Sequence, residues 1–175
     1  MYALFDALEG IQKFLGMGGP ILVVIGFALL VMWTLIFERI WYFKTSLKKD
    51  VQSALDRWEA RAERKSKRSH QVREQLISEV SVKVDVNMAM VKTLVALAPL
   101  LGLLGTVTGM IAVFEVLAIT GGGDARSMAG GVSQATIPTM AGMVAALSGV
   151  FGDTYINRIA NRERQLLADH MTMDH

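Results

Sequence analysis

The chain has 175 residues, of which 52% are hydrophobic and 19% are charged, and it contains no cysteine. This composition excludes an intrinsically disordered chain, a disulfide-stabilised secreted domain and a cysteine-ligated zinc or iron–sulfur protein. The formal net charge of +2 is too small to indicate a nucleic-acid partner. The charges are distributed very unevenly, so that three long stretches of the chain carry none.

The first predicted element is an amphipathic helix over residues 1–18. Leu4, Leu8, Ile11 and Leu15 recur at helical spacing, whereas the charged residues of this segment fall elsewhere on the helical wheel. Such a helix is suited to lie in the membrane interface, and equally to lie across a helix bundle. Because the apolar run that follows starts late and ends at a charged pair, we do not expect a cleaved signal peptide.

Three uncharged runs follow, each long enough to cross a bilayer as a helix. They are residues 20–37, 93–114 and 127–152, with 18, 22 and 26 residues. A membrane-spanning helix needs about 20 mostly apolar residues to cross roughly 30 Å of hydrocarbon. The sequence therefore predicts an all-α integral membrane protein, because a soluble chain of this length has too little polar surface to cover three such helices. The predicted spans are 19–37, 93–119 and 127–152.

The basic residues of the polar segments predict the orientation of these spans. Segment 38–92 holds 13 of the 18 Lys and Arg residues and the tail 153–175 holds three, whereas residues 1–18 and 120–126 hold one each. By the positive-inside rule, the loop 38–92 and the tail face the cytoplasm and the other two segments face the periplasm. Apolar residues at four-residue spacing predict that the loop is helical. The second span is expected to extend into the cytoplasm through it, and the third through the tail.

The second and third spans are rich in small residues, whereas the first is branched aliphatic and suits a lipid-facing helix. Small residues four positions apart let helix backbones approach closely in lipid, where apolar burial gives no driving force for association. We therefore predict close packing between helices along these rows. The predicted packing positions are Gly102, Gly105, Gly109, Ala141, Gly142, Ala145 and Gly149.

The same two spans carry polar groups but are nearly free of titratable ones. The side-chain amide of Gln134 has more hydrogen-bonding sites than its own helix can fill. Pro138 has no N–H to donate to the backbone carbonyl of Gln134, so that oxygen also lacks its helical partner. Ser133 and Thr136 lie beside Gln134 in the chain and are further candidates. Glu115, near the outer end of the second span, is explained as well by contact with headgroup water as by a function. These features predict that the two helices line a hydrated or partner-filled space.

No motif for enzyme chemistry is present in the sequence. The three histidines lie outside the spans without metal-ligand spacing, and no nucleotide-binding or nucleophile motif occurs. The basic cluster at 61–73 is interleaved with glutamate and contains no aromatic residue, which favours a solvated helix over a nucleic-acid surface. We therefore expect no enzyme activity, no metal, no cofactor and no nucleic-acid partner.

Two motifs in these spans resemble the MotA/TolQ/ExbB proton-channel family, and its ExbB branch most closely. They read APLLGLLGTVTGMIAVF at 98–114 and GGVSQATIPTMAGMVAAL at 130–147. The order of spans and loops extends the resemblance over most of the chain. It implies a bacterial inner-membrane protein that forms a homo-oligomeric ring, commonly a pentamer, around the membrane helices of an ExbD-like single-span partner.

The resemblance also implies a function and its site residues. Proton flow through such a complex energises a TonB-like protein, which drives uptake of iron chelates or vitamins across the outer membrane. The family's pore threonines fall on Thr106 and Thr139, and its third-span glutamate falls on Gln134. Since an amide cannot titrate, the proton-carrying carboxylate has to come from elsewhere, and the partner's span is the natural source. We expect the three side chains to hydrogen-bond and hydrate that carboxylate.

Alternative functions remain open on the sequence. A TolQ-like subunit would couple the same proton flow to outer-membrane integrity through a TolA-like partner. A non-conducting membrane scaffold would assemble helices without moving ions. A MotA-like subunit fits less well because its larger cytoplasmic region and extra span are missing here. A solute transporter is less favoured still because no inverted repeat is visible.

Overall fold

The computed structural model describes residues 2–61, 66–121 and 125–171, and every regular element in these ranges is an α-helix. This confirms the predicted all-α fold. The side chains of residues 2–8, and of Leu15, lie outside the description, and with them most of the predicted amphipathic pattern. The predicted loop 120–126 is described only in part. The helices are α1 (Tyr2–Thr45), α2 (Leu47–Glu59), α3 (Lys67–Asp85), α4 (Met88–Thr120) and α5 (Ala125–His170).

Three helical stretches of the described chain are long and apolar enough to cross a membrane. They are Gly18–Thr45, Lys67–Ile119 and Met128–His170. The first two contain the uncharged runs 20–37 and 93–114, and the third contains the run 127–152 except for its first residue. The architecture is therefore that of a multi-pass helical membrane protein.

Helix α1 bends at Gly19. The φ of 67° and ψ of −170° at this residue are not helical, and essentially only glycine adopts them. Gly19 also precedes Pro20, whose ring disfavours the helical conformation in the residue before it. The bend therefore separates the N-terminal segment from the apolar run that begins at Pro20.

A second break separates α3 from α4. Asn87 has a φ of 62°, so the helix predicted to run continuously into the second span ends at Asp85 and restarts at Met88. Asparagine is one of the few residues besides glycine that tolerate this left-handed conformation. The four-residue apolar period passes through Val84 and Met88 without a gap, which is why the sequence pattern did not reveal the break.

The chain divides into two compact units. We call the first, Met1–Met32 with Thr93–Val150, the apolar unit, and the second, Trp33–Lys92 with Phe151–His175, the charged unit. The core of the apolar unit is made of small and aliphatic side chains. They are Ile25, Ala98, Ala145 and Ala146, with Ile21, Leu29 and Leu101 packed against them.

Large apolar side chains on the outside of the apolar unit are exposed. Phe27 of α1 is 67% exposed, and Leu103 of α4 and Leu147 of α5 are also exposed. Contiguous exposed apolar faces of this kind are typical of helices that face lipid or another membrane helix.

The charged unit is held together by large buried side chains and by ionic contacts. Trp58, Leu47 and Ile156 are almost completely buried. The Arg73 guanidinium donates to the carbonyl oxygens of Met171 at 2.8 Å and of Ala168 at 2.7 Å. Arg73 thus caps the C-terminal end of α5, where carbonyl groups lack helical donors.

Ion pairs join α3 to its neighbours within the charged unit. Lys83 Nζ lies 2.6 Å from Asp50 Oδ1 on α2, and Arg164 of α5 contacts Asp85. The Lys83 hydrogen bond, opposed by partial burial, lowers the pKa of the Asp50 carboxyl below its ordinary value. The buried Arg39 donates from Nη1 to the Lys83 carbonyl oxygen at 3.1 Å.

Candidate functional site

Helices α4 and α5 approach each other closely through glycine. A Cβ added to Gly102 on α4 would lie 2.9 Å from the carbonyl oxygen of Pro138. A Cβ added to Gly142 on α5 would lie 2.5 Å from the carbonyl oxygen of Ala98. Because the obstructing atoms belong to the facing backbone, they could not move aside without separating the helices.

The contact continues along α4 in the direction of its C-terminus. A Cβ on Gly105 would meet the ring of the fully buried Pro138, with Cγ 2.9 Å away. A Cβ on Gly109 would lie 2.6 Å from the Cα of Ala135. Pro138 therefore fills the groove that the α4 glycines leave, in addition to removing a helical donor from the Gln134 carbonyl.

The remaining predicted packing positions lie on α5. A Cβ on Gly149 would lie 2.5 Å from the sulfur of Met32 and 2.6 Å from Cγ2 of Val95, so this glycine receives side chains of both α1 and α4. Ala145 is buried in the core of the apolar unit, and Ala141 is half-buried. The small residues of α5 thus allow both α1 and α4 to approach it closely.

Thr106 and Thr139 meet across the α4–α5 contact. Their hydroxyl groups are hydrogen-bonded to each other, and Thr139 Oγ1 also donates to the Gly102 carbonyl oxygen at 3.0 Å. Thr106 Oγ1 is farther from the Gly102 oxygen, at 3.4 Å. Because each hydroxyl has one proton, the arrangement that keeps the shorter contact has Thr139 donating to Gly102 and accepting from Thr106. Both threonines are half-buried. The pair therefore presents hydroxyl oxygens that can accept a further hydrogen bond.

Gln134 lies in a different place from the threonine pair. Its side chain is exposed, and its amide nitrogen would lie 3.5 Å from a Cβ added to Gly19 at the bend of α1. Gln134 and Gly19 line a cavity of about 180 Å³ together with glycine and apolar residues of α1 and α4. Thr108 is the other polar side chain of this cavity, and its hydroxyl donates to the Leu104 carbonyl oxygen at 3.0 Å.

The three residues that the sequence pointed to do not form one cluster within the chain. Gln134 precedes Thr139 by five residues, which corresponds to about 140° around the helix axis and about 7.5 Å along it. Neither Thr106 nor Thr139 lines the cavity beside Gln134. The structure therefore separates a hydroxyl pair between α4 and α5 from an amide at the bend of α1.

The other candidate positions belong neither to the Thr106–Thr139 pair nor to the cavity beside Gln134. Ser133 and Thr136 are exposed, and the Thr136 hydroxyl donates to the Ser133 carbonyl oxygen at 3.1 Å within its own helix. Glu115 is exposed on α4 and does not line the cavity. Among the residues that the structure describes, no group of three or more His, Cys, Asp or Glu side chains could hold a metal ion.

The cavity was not predicted from the sequence, because no sequence pattern places α1 beside Gln134. A local signal was present in the Gly–Gly–Pro tripeptide at 18–20, which is typical of a turn or a helix break. That signal predicts the bend. It does not predict which side chain of another helix the bend will face.

The fold and these polar sites define a three-span helical membrane protein with a tightly packed α4–α5 pair. The model of the MotA/TolQ/ExbB proton channel family matches residues 42–169. The chain belongs to this family, as its motifs indicated, and the family is one of transport proteins rather than of enzymes.

Individual relatives carry ExbB names. The chain is 52% identical over 61 residues to the biopolymer transport protein ExbB-like 1 of Synechocystis sp., covering 33% of this chain and 24% of that protein. It is 32% identical over 85 residues to ExbB of Xanthomonas campestris pv. campestris, covering 49% and 34%. It is 32% identical over 81 residues to ExbB-like 3 of Synechocystis sp., covering 42% and 39%. The matched part thus spans about a quarter to two fifths of these relatives.

Proposed function

We propose that the chain is an ExbB-like stator subunit of a proton-channel motor in the bacterial inner membrane. With an ExbD-like single-span partner it would use the proton motive force to energise a TonB-like protein for uptake across the outer membrane. The observation that carries this proposal is the hydrogen-bonded pair of Thr106 and Thr139 between two closely packed helices. The ExbB names of the relatives favour this role over a TolQ-like one.

The proposed assembly is a homo-oligomeric ring, with a pentamer as the family's usual form. Segments 1–18 and 120–126 would face the periplasm, and segments 38–92 and 153–175 would face the cytoplasm. The concentration of Lys and Arg in the latter two supports this orientation. The exposed apolar faces of α4 and α5 would contact the partner helix, neighbouring copies and lipid.

A carboxyl group of the partner can hydrogen-bond to the threonine pair both when it is protonated and when it is ionised. A protonated carboxyl donates its hydrogen bond to a hydroxyl oxygen of the pair. An ionised carboxylate accepts from Thr106, whose O–H rotates away from Thr139, while Thr139 keeps its bond to the Gly102 carbonyl oxygen. Moving one charge through 100 mV yields only about 2.3 kcal/mol, so a path without an unpaired buried charge is favoured.

Gln134 would hydrate the pathway rather than carry the proton. Its amide can donate and accept hydrogen bonds but does not titrate. Within the described part of the chain it makes no hydrogen bond, and the cavity of about 180 Å³ beside it is large enough to hold water. The amide would hydrogen-bond to water in this cavity and so keep the pathway hydrated near the bend of α1.

Proton flux into liposomes tests the proposal, with the chain reconstituted alone and with its ExbD-like partner. We expect flux only with the partner, because the carboxylate is the partner's. Thr139→Val keeps the side-chain shape and removes the hydroxyl that holds Thr106 in place, and it should lower flux about 10-fold, as expected for the loss of one hydrogen bond. Gln134→Leu should abolish partner-dependent uptake in cells without preventing assembly.

Thr136→Val is the matched control, because the hydroxyl of this exposed threonine donates to a carbonyl oxygen of its own helix. It should leave flux unchanged. Native mass spectrometry of each variant with the partner verifies that the complex still assembles. An assembled Thr139→Val complex with wild-type flux would contradict the role of the pair, and an assembled wild-type complex without flux would favour the scaffold function.

A further inference from the structure

The charged unit contains an open polar groove of about 610 Å³. One wall is Lys92, in the second turn of α4, and the other is the face of α5 from Asp153 to Gln165. Arg158 and Arg162 stand on this face, and all three basic side chains are exposed. The groove is therefore open to a ligand from outside the chain.

Within the part of the chain that the structure describes, no ion pair neutralises the positive charge of the groove. Four other cations of the charged unit form ion pairs, but among the described residues Lys92, Arg158 and Arg162 form none. Asp153 is the acidic residue of the groove, and its Oδ1 accepts a hydrogen bond from Asn157 Nδ2 at 2.8 Å. Three cations against one engaged acid leave a surplus of positive charge.

The sequence places the groove where two membrane spans end. Lys92 is the last charged residue before the uncharged run 93–114, and Asp153 is the first after the run 127–152. A helix leaves the hydrocarbon at such a boundary, so the end of the groove at Lys92 and Asp153 lies at the depth of the lipid headgroups, and the rest of the groove extends further along α5. Guanidinium groups bind phosphate oxygens through paired hydrogen bonds, and an ammonium group adds a point charge.

We propose that this groove binds the phosphate of an anionic phospholipid of the inner leaflet. Lys92, Arg158 and Arg162 supply the charge, and the Asn161 amide supplies a further hydrogen-bond donor. Basic pockets at the cytoplasmic ends of membrane helices recognise anionic headgroups in this way. The inference rests on the cytoplasmic orientation of the proposed function but not on proton conduction. A lipid is favoured over an acidic protein segment because the groove lies at the ends of the spans.

The test is lipid binding by the full chain in neutral detergent, measured by native mass spectrometry with phosphatidylglycerol or phosphatidylcholine. We expect wild type to prefer phosphatidylglycerol. The triple variant Lys92→Gln, Arg158→Gln, Arg162→Gln should bind it roughly 100-fold more weakly, because each basic residue contributes about 5-fold to the affinity. The wild-type preference for the anionic lipid should disappear in this variant.

A second triple variant controls for total charge. Lys48→Gln, Lys49→Gln, Arg68→Gln removes the same charge from exposed positions of the charged unit outside the groove. It should bind phosphatidylglycerol within about 3-fold of wild type, since a distributed surface charge is largely screened by salt. Equal losses in the two triple variants would overturn the proposal.

Two further arms identify the source of the phosphate. Soluble glycerol 3-phosphate should not displace the lipid at equal concentration, and displacement would show that a free phosphate suffices. If the groove variant retained lipid but lost the ExbD-like partner on copurification, the groove would belong to an acidic protein segment and the lipid proposal would fail. No proton gradient is present in these assays, so their failure is distinct from failure of the channel function.

Discussion

The apolar unit and the charged unit are held together by different physical means. In the apolar unit the closest contacts are between backbones, as at Gly102 and Gly142, and the side-chain bond between helices joins two hydroxyls. In the charged unit large side chains such as Trp58 fill the core, and guanidinium groups cap and bridge helices. The first pattern is expected where the surroundings are apolar and helices gain little from burying more apolar surface. The second is expected in water, where burial itself drives packing.

The difference predicts that the apolar unit is the more sensitive of the two to added volume. Gly142→Ala places a Cβ 2.5 Å from a backbone oxygen of α4, so the helices must separate. We expect a loss of about 1–3 kcal/mol in the free energy of unfolding, the usual cost of overpacking. Denaturation in mixed detergent micelles, followed by circular dichroism, measures the change.

Gly26→Ala is the matched control for this substitution. Gly26 lies in the first span, and an added Cβ has nothing within 4 Å. In a helix, alanine is favoured over glycine by about 1 kcal/mol, so the variant should be as stable as wild type or more so. Equal destabilisation by the two variants would refute the idea that backbone approach holds α4 against α5.

The charged unit should instead be sensitive to loss of a capping guanidinium. Arg73→Ala leaves the last carbonyl groups of α5 without two donors, at a cost of about 2 kcal/mol as for hydrogen bonds from a charged group. Hydrogen exchange should accelerate in the last turn of α5. Arg68 lies at an exposed position of α3, the helix that carries Arg73. Arg68→Ala should change neither stability nor exchange. If exchange at the end of α5 stayed slow in the Arg73 variant, the cap would be without effect.

The smallest expected effect is the pH dependence of the ion pair between Lys83 and Asp50. Because the Lys83 hydrogen bond lowers the pKa of Asp50 below its ordinary value of about 3.9, the unfolded chain takes up this proton at a higher pH than the folded chain. The stabilisation is therefore complete well above pH 4 and is lost as the pH falls through the lowered pKa. Since the pair is partly exposed, its contribution should be below about 1 kcal/mol.

A double-mutant cycle isolates this contribution. The difference in unfolding free energy between wild type and Asp50→Asn should be constant from pH 8 to about pH 5 and should shrink below about pH 4. In a Lys83→Gln background the difference should be smaller at every pH, because the main partner is gone. A difference that grew on acidification would show that the sign of the linkage is wrong.

The fold was largely predictable because its signals are local. The absence of charge over 20–37, 93–114 and 127–152 is a property of single segments, and it identified the three stretches of the described chain that are long and apolar enough to cross a membrane. The breaks were harder to predict. Asn87 interrupts a helix whose apolar period is intact, and the bend at Gly19 was signalled only by its glycine and proline neighbours.

The candidate site was predictable as a set of residue types and not as an arrangement. The sequence by itself determined that α4 and α5 carry glycines and hydroxyls, that the spans are nearly free of acids, and that the chain resembles a proton-channel family. Only the tertiary structure decided that Thr106 and Thr139 bond to each other at Gly102 while Gln134 lies at the bend of α1. Composition and periodicity describe a single helix. The partners of a side chain instead depend on how two packed helices are rotated and aligned along their axes. That rotation and alignment are set by the backbone approach that the glycines allow.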